Sequence, residues 1–135
     1  MKTRICAILV CGFLILTSCA TSDDNNQILL DEKASFFSDF SIDDGMVFFF
    51  CHLEVINQTT ESQQVHIQGD FREDVKGGLI QSPYLIAYRK DDPDNTVFVL
   101  KPGKNVFDIF FLDEKGFADE KQNRLLPPLE FIPIP

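Results

Sequence analysis

The stretch "MVFFFCHLEVI", residues 46–56, decides the fold. Val47, Phe49, Cys51, Leu53 and Val55 recur at every second position, the period of a strand with one face turned to a core. Asp43-Asp44-Gly45 stands directly before it as a hairpin-type turn signal. Asn57-Gln58-Thr59-Thr60-Glu61 closes it, a run rich in turn-forming side chains.

Outward from this segment the same alternation recurs between turn signals. A strand is predicted over 36–42, the central one over 46–56, and a third over 65–71, where Val65, Ile67 and Phe71 alternate with His66, Gln68 and Asp70. "REDVKGG" follows as an irregular link with room for one helical turn. Further strands are predicted over 84–89, 96–100 and 105–112, the last with Phe107, Ile109 and Phe111 on one face. A seventh runs over 129–134, and Pro133 and Pro135, lacking amide donors, place it at a sheet edge. No internal repeat and no long helical pattern interrupts the series. The expected fold is all-β, an antiparallel β-sandwich of about seven strands over residues 35–135.

The stretches "LEVINQTTESQQVHI" and "VFVLKPGKNVFDIFF" resemble the pattern of bacterial immunoglobulin-like domains. That resemblance implies that the second and sixth strands are central in opposite sheets, and that the second and third also lie in different sheets. The chain has no Trp, no second core cysteine and no tyrosine in the sixth strand. The likeness therefore speaks to the fold and carries no catalytic or binding residue with it.

The N-terminus reads as an address. Lys2 and Arg4 precede an apolar run over 5–16, which is too short to cross a bilayer permanently. It ends in Leu16-Thr17-Ser18-Cys19, which resembles the bacterial lipobox. The resemblance implies removal of residues 1–18 and a lipid on Cys19, with the protein held on the extracytoplasmic side of the cell membrane or the outer membrane. Residues 19–34, opening with "ATSDDNNQ" after the cysteine, are expected to act as a flexible tether.

Cleavage there would leave 117 residues, one domain's worth, with 10 basic against 21 acidic side chains and a net charge of −11. So acidic a chain is repelled by nucleic acid and by anionic headgroups, so membrane attachment rests on the lipid and nucleic acid is no partner. Cys51 would be the one remaining thiol, and no intrachain disulfide could form. The core must then rest on packing, to which 14 phenylalanines contribute.

Candidate chemistry is sparse. Cys51 has Phe49 and Leu53 beside it on the apolar face, which suits a small buried hydrophobe rather than a nucleophile. His52, Glu54 and His66 fall on polar sides of their strands; strands in different sheets would keep the histidines apart, and a metal site needs three or four ligands. The loop "DDPDN", with Asp91, Asp92, Asp94 and Asn95, is oxygen-rich but lacks the glycine and bidentate glutamate of an EF-hand. Gly77-Gly78 after Lys76 lacks the order of a phosphate loop. No serine stands in a nucleophile-elbow context. No enzyme activity and no cofactor is expected.

One feature breaks the simple pattern. Met46, Phe48 and Phe50 point away from the filled inner face, and Phe110 and Leu112 do the same in the sixth strand, although the solvent face of a sheet should be polar. Either "QILLDEKASFF" or the tail "LLPPLEFIPIP" folds over these rings, or Phe48, Phe50 and Phe110 form a partner-binding patch. The leading expectation is a non-catalytic, membrane-anchored binding or envelope-assembly module. A small-ligand or calcium-binding lipoprotein is the alternative, and an extracellular protease inhibitor a weaker one.

Overall fold

Met46–Asn57 forms a strand of twelve residues whose burial alternates without a break. Val47, Phe49, Leu53 and Val55 are wholly buried and Cys51 nearly so, because every second side chain points into the interior. A computed structural model describes residues 27–118 and 124–135. Over these residues nearly all the regular structure is strand, in order β1 (Ile28–Leu30), β2 (Phe36–Asp43), β3 (Met46–Asn57), β4 (Gln63–Asp70), helix α1 (Arg72–Lys76), β5 (Tyr84–Ile86), β6 (Tyr88–Arg89), β7 (Phe98–Leu100), β8 (Gly103–Glu114) and β9 (Leu129–Pro133). The one helical turn falls inside "REDVKGG", as the sequence allows.

Two antiparallel sheets form a sandwich. In the first, β3 lies between β8 on one side and β1 and β2 on the other, and β6 adds to the far edge of β8. In the second, β4 lies between β9 on one side and β5 and β7 on the other. The β2–β3 hairpin closes through Asp44 and Gly45, both at positive φ (51° and 77°), as a two-residue turn matched to strand twist requires. Phe49, Phe71 and Phe111 pack ring on ring in the core, with centroids 4.7 and 5.0 Å apart. Gly69 makes that packing possible, since a Cβ there would lie 2.6 Å from the Phe71 ring.

The sandwich, its antiparallel pairing and the separation of the second and third predicted strands into different sheets agree with the sequence. Three expectations need correction. The second and sixth predicted strands are not in opposite sheets: β3 and β8 are neighbours paired from Met46↔Glu114 to Asn57↔Gly103. Alternation specifies which face a residue takes and leaves its neighbouring strand open. The predicted strand over 84–89 divides, with β5 in one sheet and β6 in the other. Ala87, wholly buried, sits at the crossing. Lastly, the expected tether over 19–34 contains β1, because Ile28, Leu29 and Leu30 are apolar enough to extend the β3 edge.

Asn57 holds the crossover from β3 to β4. Its buried amide donates to the Leu100 carbonyl at 2.8 Å and the Glu61 carbonyl at 3.0 Å. Its Oδ1 accepts from the Thr59 N–H and hydroxyl. One side chain thus fixes the turn and ties the two sheets together.

Candidate functional site

The side chains that β3 does not turn inward face out from the first sheet together with their partners on β8. The register sets Phe48 opposite Leu112, Phe50 opposite Phe110, His52 opposite Asp108 and Glu54 opposite Val106. Tyr88 of β6 stands opposite Phe110 on the far side. The outer face consequently has an aromatic half and a charged half.

In the aromatic half, the Phe48 and Phe50 rings lie nearly parallel with centroids 6.2 Å apart. Phe110 touches both, at 6.2 and 6.0 Å, and stacks on Tyr88 at 5.3 Å. The Lys90 ammonium lies 5.4 Å from the Phe50 centroid, a cation–π contact worth about 0.5–1 kcal/mol at an exposed position. Phe110 is 9% exposed, shielded by the rings around it, while Phe48 and Phe50 are half-buried. The three residues singled out in the sequence are therefore brought together into one cluster. Tyr88 and Lys90 join it unforeseen, because only the β6–β8 pairing brings them there.

Neither segment expected to cover these rings does so. The Ile28–Leu30 segment extends the sheet edge as β1. The C-terminal tail enters the other sheet as β9, where Leu129 and Phe131 pack against the interior. Among the described residues, the ring neighbours of the Phe48–Phe50–Phe110 cluster are its own members and Tyr88.

In the charged half, His52 Nδ1 lies 2.9 Å from an Asp108 carboxylate oxygen, and its Nε2 lies 3.8 Å from Glu54. Lys104 pairs with Glu54 at 3.3 Å. Phe36, half exposed, stacks on the imidazole at 5.1 Å. His66 lies in the other sheet and meets the Thr96 carbonyl at 3.0 Å, so the two histidines are separated as expected. Asp108 escaped the sequence reading because its partnership with His52 follows from the β3–β8 register alone.

Cys51 is 1% exposed, and burial pushes its thiol up to about 12. A thiol so held stays protonated at neutral pH and is a poor nucleophile. In the acidic loop the two Asp91 carboxylate oxygens accept from Nε and Nη2 of the Arg89 guanidinium, at 3.0 and 2.8 Å. That hydrogen bonding holds Asp91 below the usual carboxylate range. Asn95 Oδ1 accepts from the Val97 N–H, so two of the loop's four oxygen-bearing side chains serve the turn itself. Gly78, at φ 81°, ends the short helix in a plain turn. Cys19, the 1–18 segment and residues 19–26 of the expected tether lie outside the described residues.

No family model, no characterised protein and no solved structure matches this chain.

Proposed function

We propose that this chain is a lipid-anchored, extracytoplasmic and non-catalytic β-sandwich that docks a protein partner on the aromatic outer face of its first sheet. The lipid would be carried by Cys19 in Leu16-Thr17-Ser18-Cys19, leaving the sandwich on the outer side of a bacterial membrane. The observation that carries the reading is the cluster of Phe48, Phe50, Phe110 and Tyr88 on a sheet face that should be polar. Large aromatic side chains with neighbouring charge are the favoured anchors of protein interfaces. The His52–Asp108 contact and the Lys104–Glu54 ion pair beside them supply a polar rim.

Two measurements test the two halves of the reading. Cys19→Ser is expected to release the protein from membranes or leave the precursor uncleaved, and unchanged processing and retention would refute the anchor. For the face, Phe50→Ser is expected to abolish retention of the partner that the wild-type chain captures from membrane extracts. Its melting temperature should stay within a few degrees of wild type. A large fall in stability with capture intact would make the ring a structural element instead.

A further inference from the structure

We propose that the open side of the sandwich, between β1 and β9, is a strand-accepting cleft for an extended apolar peptide with basic flanks, supplied by a partner protein. This site is separate from the aromatic outer face and does not rest on the function assigned to it.

A cleft of about 1130 Å³ opens there, with Ile28, Leu30 and Phe37 on one wall and Leu126, Leu129 and Phe131 on the other. The walls are sheet edges, and the register shows which backbone groups they leave over. Gln58 N–H donates to the Gln27 carbonyl and Asp31 N–H to the Glu54 carbonyl. In an antiparallel ladder such paired positions alternate with outward-facing ones. Ile28 and Leu30 consequently turn their N–H and C=O groups away from β3. On the other wall, Ile134 N–H donates to the Gln64 carbonyl and Asp70 N–H to the Pro128 carbonyl. The same alternation turns the backbone of Leu129 and Phe131 away from β4. Among the described residues no backbone group meets any of these four, and a row of such groups is a template for another strand.

Parts of the neighbouring edge are blocked. The outward N–H of Phe40 is taken by the Asp39 carboxylate at 2.8 Å. Pro133 and Pro135 occupy the outward phase of the β9 segment and offer no N–H. The outward groups of Ile28, Leu30, Leu129 and Phe131 belong to residues that line the cleft, so an incoming strand would gain main-chain hydrogen bonds and bury alternate side chains together.

Charge selects the occupant. Glu32 and Glu130 line the cleft, and neither has an ion-pair partner among the described residues. Arg124, which lines it too, is ion-paired with Asp74 and lies over the Phe40 and Phe49 rings. The mouth is therefore negative. It disfavours the chain's own segment 19–26, which carries Asp23 and Asp24, and a second copy with a formal net charge of −9. A segment with Lys or Arg on either side of alternating apolar residues satisfies both the edges and the field.

The test uses the full chain purified in detergent and a fluorescent peptide, Lys-Lys-Val-Ser-Val-Ser-Val-Lys-Lys, followed by anisotropy. Saturable binding is expected. It should weaken at least tenfold when the peptide's valines are N-methylated, and again with Glu32→Gln/Glu130→Gln. Phe131→Pro removes an outward N–H and should weaken binding at least tenfold beyond Phe131→Ala, which controls for the lost ring. If Phe131→Pro does not fold, the N-methylated peptide against the wild-type chain decides the matter alone. No binding, equal binding of the N-methylated peptide, or equal binding of a counterpart with Asp in place of Lys would overturn the proposal.

Discussion

Phe50 and Phe110 stand directly opposite each other on β3 and β8, with ring centroids 6.0 Å apart on the outer face of the sheet. Their strands also present Phe49 and Phe111 opposite each other, both wholly buried on the inner face. The central pair of strands thus carries two aromatic layers, of which only the inner one belongs to the core. The two layers should respond differently to mutation. Phe111→Ala is expected to cost about 3–5 kcal/mol, the range for deleting a buried ring. Phe48→Ser and Phe50→Ser should cost about 1 kcal/mol, as for half-exposed sites away from a core. Urea denaturation of the three variants checks the contrast.

Gly69 lies under the Phe71 and Phe111 rings, where a Cβ would come within 2.6 and 3.1 Å of them. Gly69→Ala adds a methyl group that has no space unless both rings shift. Overpacking of this kind costs about 1–3 kcal/mol. A thermal melt should show a clear fall, although the substitution is small and apolar.

Asn57 is 1% exposed and its amide spans both sheets through the Leu100 carbonyl. Asn57→Ala leaves that carbonyl and the Thr59 N–H without their partner. Each buried unmet group costs about 1–3 kcal/mol. The variant should lose stability on that scale, and hydrogen exchange should accelerate first in the 57–63 turn.

Cys51 gives a prediction in pH. Its thiol is raised by burial from 9.0 to about 12, so the folded state holds its proton where the unfolded chain releases it. The stabilisation is complete below pH 9 and is lost as the pH climbs from there toward 12. Cys51→Ala should flatten this alkaline decline in a denaturation series. At pH 8 the folded protein should resist a thiol reagent that modifies it at once in denaturant.

The sequence made faces legible and left neighbours open. The run from Val47 to Val55 assigned the apolar inner residues of β3, though not the buried Asn57 that ends it, and Asp43-Asp44-Gly45 located the hairpin. Phe48, Phe50 and Phe110 were visible as a group because they violate the alternation of polarity. Their contacts with Tyr88 and Lys90, and the union of His52 with Asp108, depend on which strands pair. That pairing follows from chain connectivity and packing between distant segments, which a local period does not encode. The short strand Ile28–Leu30 had too few residues to display a period, and its place is known from its pairing with β3.

The outer aromatic layer of β3 and β8 is the proposed contact surface. The most direct measurement is photo-crosslinking in intact cells, with benzoylphenylalanine placed at Phe50 and, as a control, at Gln68 on the opposite sheet. A discrete crosslinked species from position 50 that is absent from position 68 is the expected result. Crosslinks at neither position, or the same species at both, would contradict it.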